Sequence, residues 1–193
     1  MKAHIYHERK IKENLSKVRR KMKINLKRVA LTTVAIAATF SLFSATASYG
    51  AVKLTTVQKK QLQYLVEEEK LARDVYNYFA ANVTTQKFAN IAKSEQTHMT
   101  YVANILKTYG VTNPAATTKP GVFKDATLQK LYNDLIANGK SNALAAFAAG
   151  VKIEETDIAD LKADNALKMP ADVQGMLDAL LKGSENHLAA FSR

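Results

Sequence analysis

The stretch Phe88-Ala-Asn-Ile-Ala-Lys-Ser-Glu95-Gln-Thr-His98-Met99 decides how this chain is read. Phe88, Ile91, Ala92, Met99, Val102, Leu106 and Tyr109 recur at spacings of three and four, the pattern of an amphipathic helix. At about 100° per residue the apolar stripe is centred on Glu95, with His98 inside it. A carboxylate and an imidazole one turn apart therefore face the core. A bare charge is costly to bury, so the pair needs a metal ion, a cation or a hydrogen-bond network. Glu-x-x-His alone is a common accident of composition. Its weight depends on whether other helices aim similar groups at the same point.

Three further helical stripes do so. From about Val57 to Ala81, the residues Leu65, Leu71, Ala72, Val75 and Phe79 surround Glu68, which leaves Glu67 and Glu69 as solvated flanks. From the Ser141 cap to about Asp160, Leu144, Ala148, Val151, Ile158 and Ala159 put Glu155 near the middle and Glu154 at the edge. After Pro170, which suits a first helical turn, Val173, Leu177, Leu180, Leu181, Leu188 and Phe191 centre on Ser184, with His187 on the same face. Between the second and third stripes, Pro114, Pro120 and Gly121 mark a long loop, and residues 128–139 read as a short helix stopped by Gly139. A connection of about 30 residues is too long for adjacent antiparallel helices and fits a crossover along a bundle.

Composition supports an all-α chain. Of 193 residues 47% are hydrophobic, while glycine and proline number only 7 and 3. The net charge of +11 is concentrated in residues 1–30, where 11 Lys/Arg meet only Glu8 and Glu13. The remainder lacks the charge for nucleic-acid binding. There is no cysteine, so a metal must be held by oxygen and imidazole donors. Basic residues 1–28, the 15-residue uncharged run Val29–Phe43 and the small residues Ser44–Ala51 have the layout of a secretory signal peptide. Met22 is the expected start and Ala47 or Ala51 the expected cleavage point. The run is shorter than the ~20 residues of a membrane span. The expected organisation is therefore a leader over 1–51 and a helical domain over 52–193. The product is exported to the periplasm or medium, and stays tethered to the membrane only if the signal is not cleaved.

Glu67-Glu-Glu-Lys-Leu-Ala-Arg-Asp-Val-Tyr76, Ser94-Glu-Gln-Thr-His-Met99, Ile153-Glu-Glu-Thr-Asp-Ile-Ala-Asp-Leu161 and Gly183-Ser-Glu-Asn-His-Leu-Ala-Ala-Phe191 resemble the motifs of an uncharacterised bacterial and archaeal ferritin-like domain family. The resemblance covers Lys53 to Arg193 and implies a ferritin-like four-helix bundle with a long crossover between helices two and three. It implies a non-haem metal site and supplies no activity. In that superfamily, two helices give one Glu each and two give Glu-x-x-His. Helix four departs from this, reading Ser184-Glu-Asn-His187. Glu185 lies about 100° off the stripe and would reach inward only through local rewinding such as a π-bulge, which Gly183 would ease. The expected metal set is Glu68, Glu95, His98, Glu155 and His187, with Ser184, Glu185 and Glu154 as additional candidates. Glu95 would bridge the Glu68/His98 and Glu155/His187 sides. The outcomes left open are an asymmetric dinuclear site, a mononuclear site or a vestigial one.

Such donors suit iron or manganese, with zinc a further candidate. The expected function is oxygen- or peroxide-linked redox chemistry at that metal. Metal buffering without turnover and a purely structural bundle are the rivals, and the sequence does not decide whether the protein is an enzyme. The metal ion is the expected partner, with homodimerisation left open. Tyr76, Tyr101 and Tyr109 are candidates for hydrogen bonds behind the ligands.

Overall fold

The computed structural model describes residues 53–193. The expected leader, its cleavage point and the alternative start lie outside the described residues. Five α-helices occur among the described residues: α1 (Thr56–Asn82), α2 (Gln86–Thr108), α3 (Ala126–Gly139), α4 (Ala143–Asn165) and α5 (Ala171–Phe191). A 3-10 turn, Pro114–Thr117, interrupts the connection between α2 and α3, and there is no strand among the described residues. None of these helices is long and apolar enough to cross a membrane.

The helix starts follow from local chemistry. Thr55 caps α1 in a reciprocal box: its Oγ1 accepts from the Gln58 N–H at 3.2 Å, and Gln58 Oε1 accepts from the Thr55 N–H at 2.8 Å. Thr85 caps α2, and Asp125 accepts from two N–H groups at the start of α3. The cap of α4 is Asn142 rather than Ser141, and α4 runs on to Asn165. α3 ends at Gly139 as expected, and that residue is buried where a Cβ would sit 2.3 Å from the Phe79 ring.

The apolar interior forms two clusters. One gathers Val75, Tyr76, Phe79, Phe88, Ala146, Ile153 and Phe191, with Leu128 and Leu135 of α3. The other gathers Leu62, Leu65, Val66, Val102, Leu106, Leu161, Val173, Leu177 and Leu180. Each of α1, α2, α4 and α5 contributes to both clusters, and the order gives the helix directions. Chain order runs from the second cluster to the first in α1 and α5, and from the first to the second in α2 and α4. The pairs α1/α2 and α4/α5 are therefore antiparallel, while α2 and α4 run the same way. That parallelism requires the long return through residues 109–142.

α1 latches this return in place. Lys70 is buried, pairs with Asp74 at 2.6 Å, and donates to the carbonyls of Lys119 (2.9 Å) and Val122 (3.2 Å). Asp74 Oδ2 accepts from the Gly121 N–H at 2.9 Å. Gly121 itself has φ +73°, a conformation glycine adopts without strain. Glu67, expected to be solvated, is instead 2% exposed and accepts from the N–H groups of Lys124 (2.7 Å) and Asp125 (3.0 Å). The cost of burying these charges is offset because each is fully hydrogen-bonded.

Candidate metal centre

Between the two apolar clusters, each of the four long helices turns polar side chains inward at the same level. Glu69 comes from α1, Glu95 and His98 from α2, Glu154 and Asp157 from α4, and Ser184 and His187 from α5, all of them buried. Glu95 is central. His187 Nδ1 lies 2.7 Å from its Oε1, and His98 Nδ1 lies 2.9 Å from its Oε2. Beyond Glu95, His98 Nδ1 reaches Glu69 Oε2 at 3.4 Å and His187 Nδ1 reaches Glu154 Oε2 at 3.7 Å. The two rings lie nearly parallel, with centroids 5.5 Å apart.

Two triads result, Glu69–Glu95–His98 and Glu95–Glu154–His187, each with ligand-type atoms within 4.8 Å of one another. Both could hold a cation, and both use Glu95. Glu69 Oε1, Glu95 Oε1 and the Nδ1 atoms of His98 and His187 are buried with no aligned hydrogen-bond partner. Close approach without hydrogen-bond alignment is what donors pointing at a common centre produce.

The surroundings fix the ligand atoms. His187 Nε2 lies 2.9 Å from Ser94 Oγ, which holds the ring with Nδ1 turned toward the carboxylates. Tyr76 Oη donates to Glu154 Oε1 at 2.5 Å. Ser184 Oγ donates to Asp157 Oδ2 at 2.5 Å, leaving Asp157 Oδ1 unpartnered. Gly183 makes room for His98: a Cβ there would sit 2.5 Å from the imidazole Cε1 and Nε2.

Electrostatics follow this geometry. Burial alone would raise the Glu95 carboxyl, but the two imidazoles override it and hold it at about 2. Burial alone would lower both histidines. Instead the Glu69 and Glu95 carboxylates lift His98 to about 10, and Glu154 and Glu95 lift His187 to about 9. Glu69 and Glu154 are pushed up, chiefly by burial, and Asp157 rises to about 7 for the same reason. His98 Nδ1 stands closer to Glu95 than to Glu69.

The structure brings Glu95, His98 and His187 of the expected set together. It does not bring Glu68 or Glu155 to them. Glu68 is buried one position aside, next to Asp157 and in neither triad. Glu155 is exposed. Their places are taken by the adjacent Glu69 and Glu154. Ser184 is fully buried but serves Asp157. Glu185 is exposed, 3.8 Å from Lys162, and α5 is regular throughout with no π-bulge. Tyr101 is exposed and Tyr109 bonds Asp172, so only Tyr76 of the three tyrosines backs the centre.

The one-residue errors have a physical origin. On α4 the buried face carries the small residues Ala146, Ala149 and Gly150 and the polar Glu154, Asp157 and Asp164 among Ile153, Ile158 and Leu161, so its hydrophobic weight is thinly spread. Gly150 is small because a Cβ would meet the Phe191 ring at 3.0 Å. Leu144, which drew the stripe toward Glu155, is 80% exposed. On α1 the run Leu62, Leu65, Val66, Ala72 and Tyr76 centres on Glu69 and was the available signal. Asp157 carried no such signal.

The family described as an uncharacterized protein domain, DUF2202, matches residues 58–193, and the chain belongs to it. The uncharacterized protein MJ0754 of Methanocaldococcus jannaschii is 40% identical over 141 residues, covering 70% of this chain and 74% of that protein. A crystal structure titled as the hypothetical protein MJ0754 from Methanococcus jannaschii DSM 2661 superposes with a TM-score of 0.71 at 36% identity. It covers 75% of this chain and 83% of the other.

Proposed function

We propose that this member of the DUF2202 family is a metalloprotein with a ferritin-like bundle, holding two divalent cations that share Glu95. One cation position is formed by Glu69, His98 and one Glu95 oxygen. The other is formed by Glu154, His187 and the second Glu95 oxygen. The observation that carries this reading is the pair of triads meeting at one carboxylate, with both imidazole Nδ1 atoms and one oxygen each of Glu69 and Glu95 buried without an aligned partner. The parallel run of α2 and α4, joined by a long return, supports the ferritin-like topology. Carboxylate oxygens with one imidazole per position favour iron or manganese, with zinc as the redox-inert competitor.

Bound iron or manganese would supply one-electron chemistry toward oxygen or peroxide. The chain's own part is to fix the donors and keep water out. Ser94 sets the His187 ring, Gly183 leaves space for His98, and Tyr76 holds one Glu154 oxygen. To hold a metal the two imidazoles would have to be neutral, so uptake would release any proton they carry. Export, drawn from the residue 1–51 leader, would place this chemistry outside the cytoplasm.

One observation favours a second reading. His98 and His187 lie against Glu95 at 2.9 and 2.7 Å in the absence of metal, as the members of a self-contained polar layer would. Elemental analysis of the protein purified without a His tag separates the two. Iron or manganese near two atoms per chain is expected, and protein that stays metal-free when offered either ion is the polar layer alone. Consumption of oxygen or peroxide by the loaded protein then distinguishes redox chemistry from buffering.

A further inference from the structure

Glu68 belongs to neither triad, yet it is buried at 8% exposure with no cationic partner among the described residues. Asp157 and Asp160 of α4 are its acidic neighbours, and its carboxyl shares a hydrogen bond with that of Asp160. Three acidic side chains from α1 and α4 are thus neighbours: half-buried Asp160, buried Glu68, and buried Asp157, which Ser184 holds at the level of the centre. Two buried acidic side chains with no cationic partner are uncommon in a protein interior.

Two further observations point to a ligand. Glu68 and Asp157 line a common cavity of about 20 Å³ together with Leu71, Ala72, Leu128 and Ile153, large enough for one water or one ion. Asp157 Oδ1 is buried without a partner, while Ser184 holds the other oxygen. On the α2/α5 side, by contrast, the centre is fronted by His98, His187, Ser94 and Gly183, with no carboxylate among them.

Resting on the two-cation reading, we propose that Asp160, Glu68 and Asp157 form a carboxylate passage between α1 and α4 through which divalent cations reach Glu69, Glu95 and Glu154. Asp160 takes the ion from solvent, Glu68 strips part of its hydration, and the free oxygen of Asp157 passes it inward. Each transfer replaces water by carboxylate oxygen, so no step leaves the cation uncoordinated. Ser184 is the positioning residue that keeps Asp157 turned to this task.

The test is the rate of Co²⁺ uptake by the metal-free full chain, followed by the visible absorption gained when the aquo ion enters a carboxylate–imidazole shell. Glu68→Gln keeps the shape and removes the charge, and should slow loading about tenfold or more. Asp160→Asn should slow it less. Asp134→Asn, which removes an exposed carboxylate paired with Lys130, should load at the parent rate. The number of ions bound at saturation should be the same in all four proteins. Glu68→Gln loading at the parent rate overturns the passage, as does slowing by Asp134→Asn to the same extent. Loss of a bound ion in Glu68→Gln overturns it in favour of Glu68 as a ligand. A parent that takes up no Co²⁺ overturns the metal centre itself and the passage with it.

Discussion

Gly183 shows how finely the candidate centre is set at the scale of single residues. Its missing side chain leaves the space that the His98 ring occupies, and a methyl group would overlap two ring atoms at 2.5 Å. Gly183→Ala keeps α5 helical, since alanine is the better helix former, but forces His98 away from Glu95. Metal affinity should fall about 10- to 100-fold, the usual effect of disturbing a ligand's support, while helicity by circular dichroism stays unchanged. Unaltered affinity would show that His98 is not held there for a metal. At this scale the sequence was legible where apolar weight was unambiguous. Glu95, His98 and His187 fell on the right faces. Glu155 did not, and Glu68 is buried but beside the triads, because an exposed leucine on α4 and a run of three glutamates on α1 each leave the helical phase free to slip by one residue.

Elements were easier to read than individual side chains. Helix starts at Thr55 and Thr85 are written in capping chemistry, and residues 109–142 declare a long connection through their prolines and glycines. What holds that connection was not legible, because its partners are charged residues that ordinarily lie in solvent. Glu67 is the clearest case. Glu67→Ala would leave the N–H groups of Lys124 and Asp125 unsatisfied and should cost about 3 kcal/mol in denaturant unfolding, with the number of bound ions unchanged. Loss of metal together with stability would instead place Glu67 in the centre.

The far end of α4 holds a different liability. Asp164 is buried near the helix C-terminus with Oδ1 unpartnered, and burial pushes its carboxyl up to about 6. The folded state therefore holds this proton more tightly than the unfolded chain, whose carboxyl ionises near pH ~4. Stability is full below about pH 4 and declines as the pH rises through about 6. Asp164→Asn removes that decline and should gain about 1 kcal/mol at neutral pH, after discounting for solvent screening at the helix end. The gain should vanish by about pH 4. A variant no more stable than the parent at neutral pH would show that Asp164 is ionised there without penalty.

Across the whole molecule, the organising feature is a polar layer between two apolar clusters, to which all four long helices contribute at one level. An all-helical chain with inward-facing carboxylates and imidazoles could be read from the sequence. The carboxylate missing from Ser184-x-x-His187 marked the point where the pattern failed, and the structure places Asp157, from a different helix, against that serine. No periodicity within α5 could have revealed a partner on α4.

The most direct test of the shared-carboxylate centre is calorimetric titration of Fe²⁺, without oxygen, into the parent and Glu95→Ala proteins. Glu95 contributes one oxygen to each triad, so its removal should take both positions together. The account predicts saturation at two equivalents in the parent and no specific binding in Glu95→Ala. A parent that binds no ion, or a Glu95→Ala protein that still binds two, would contradict it.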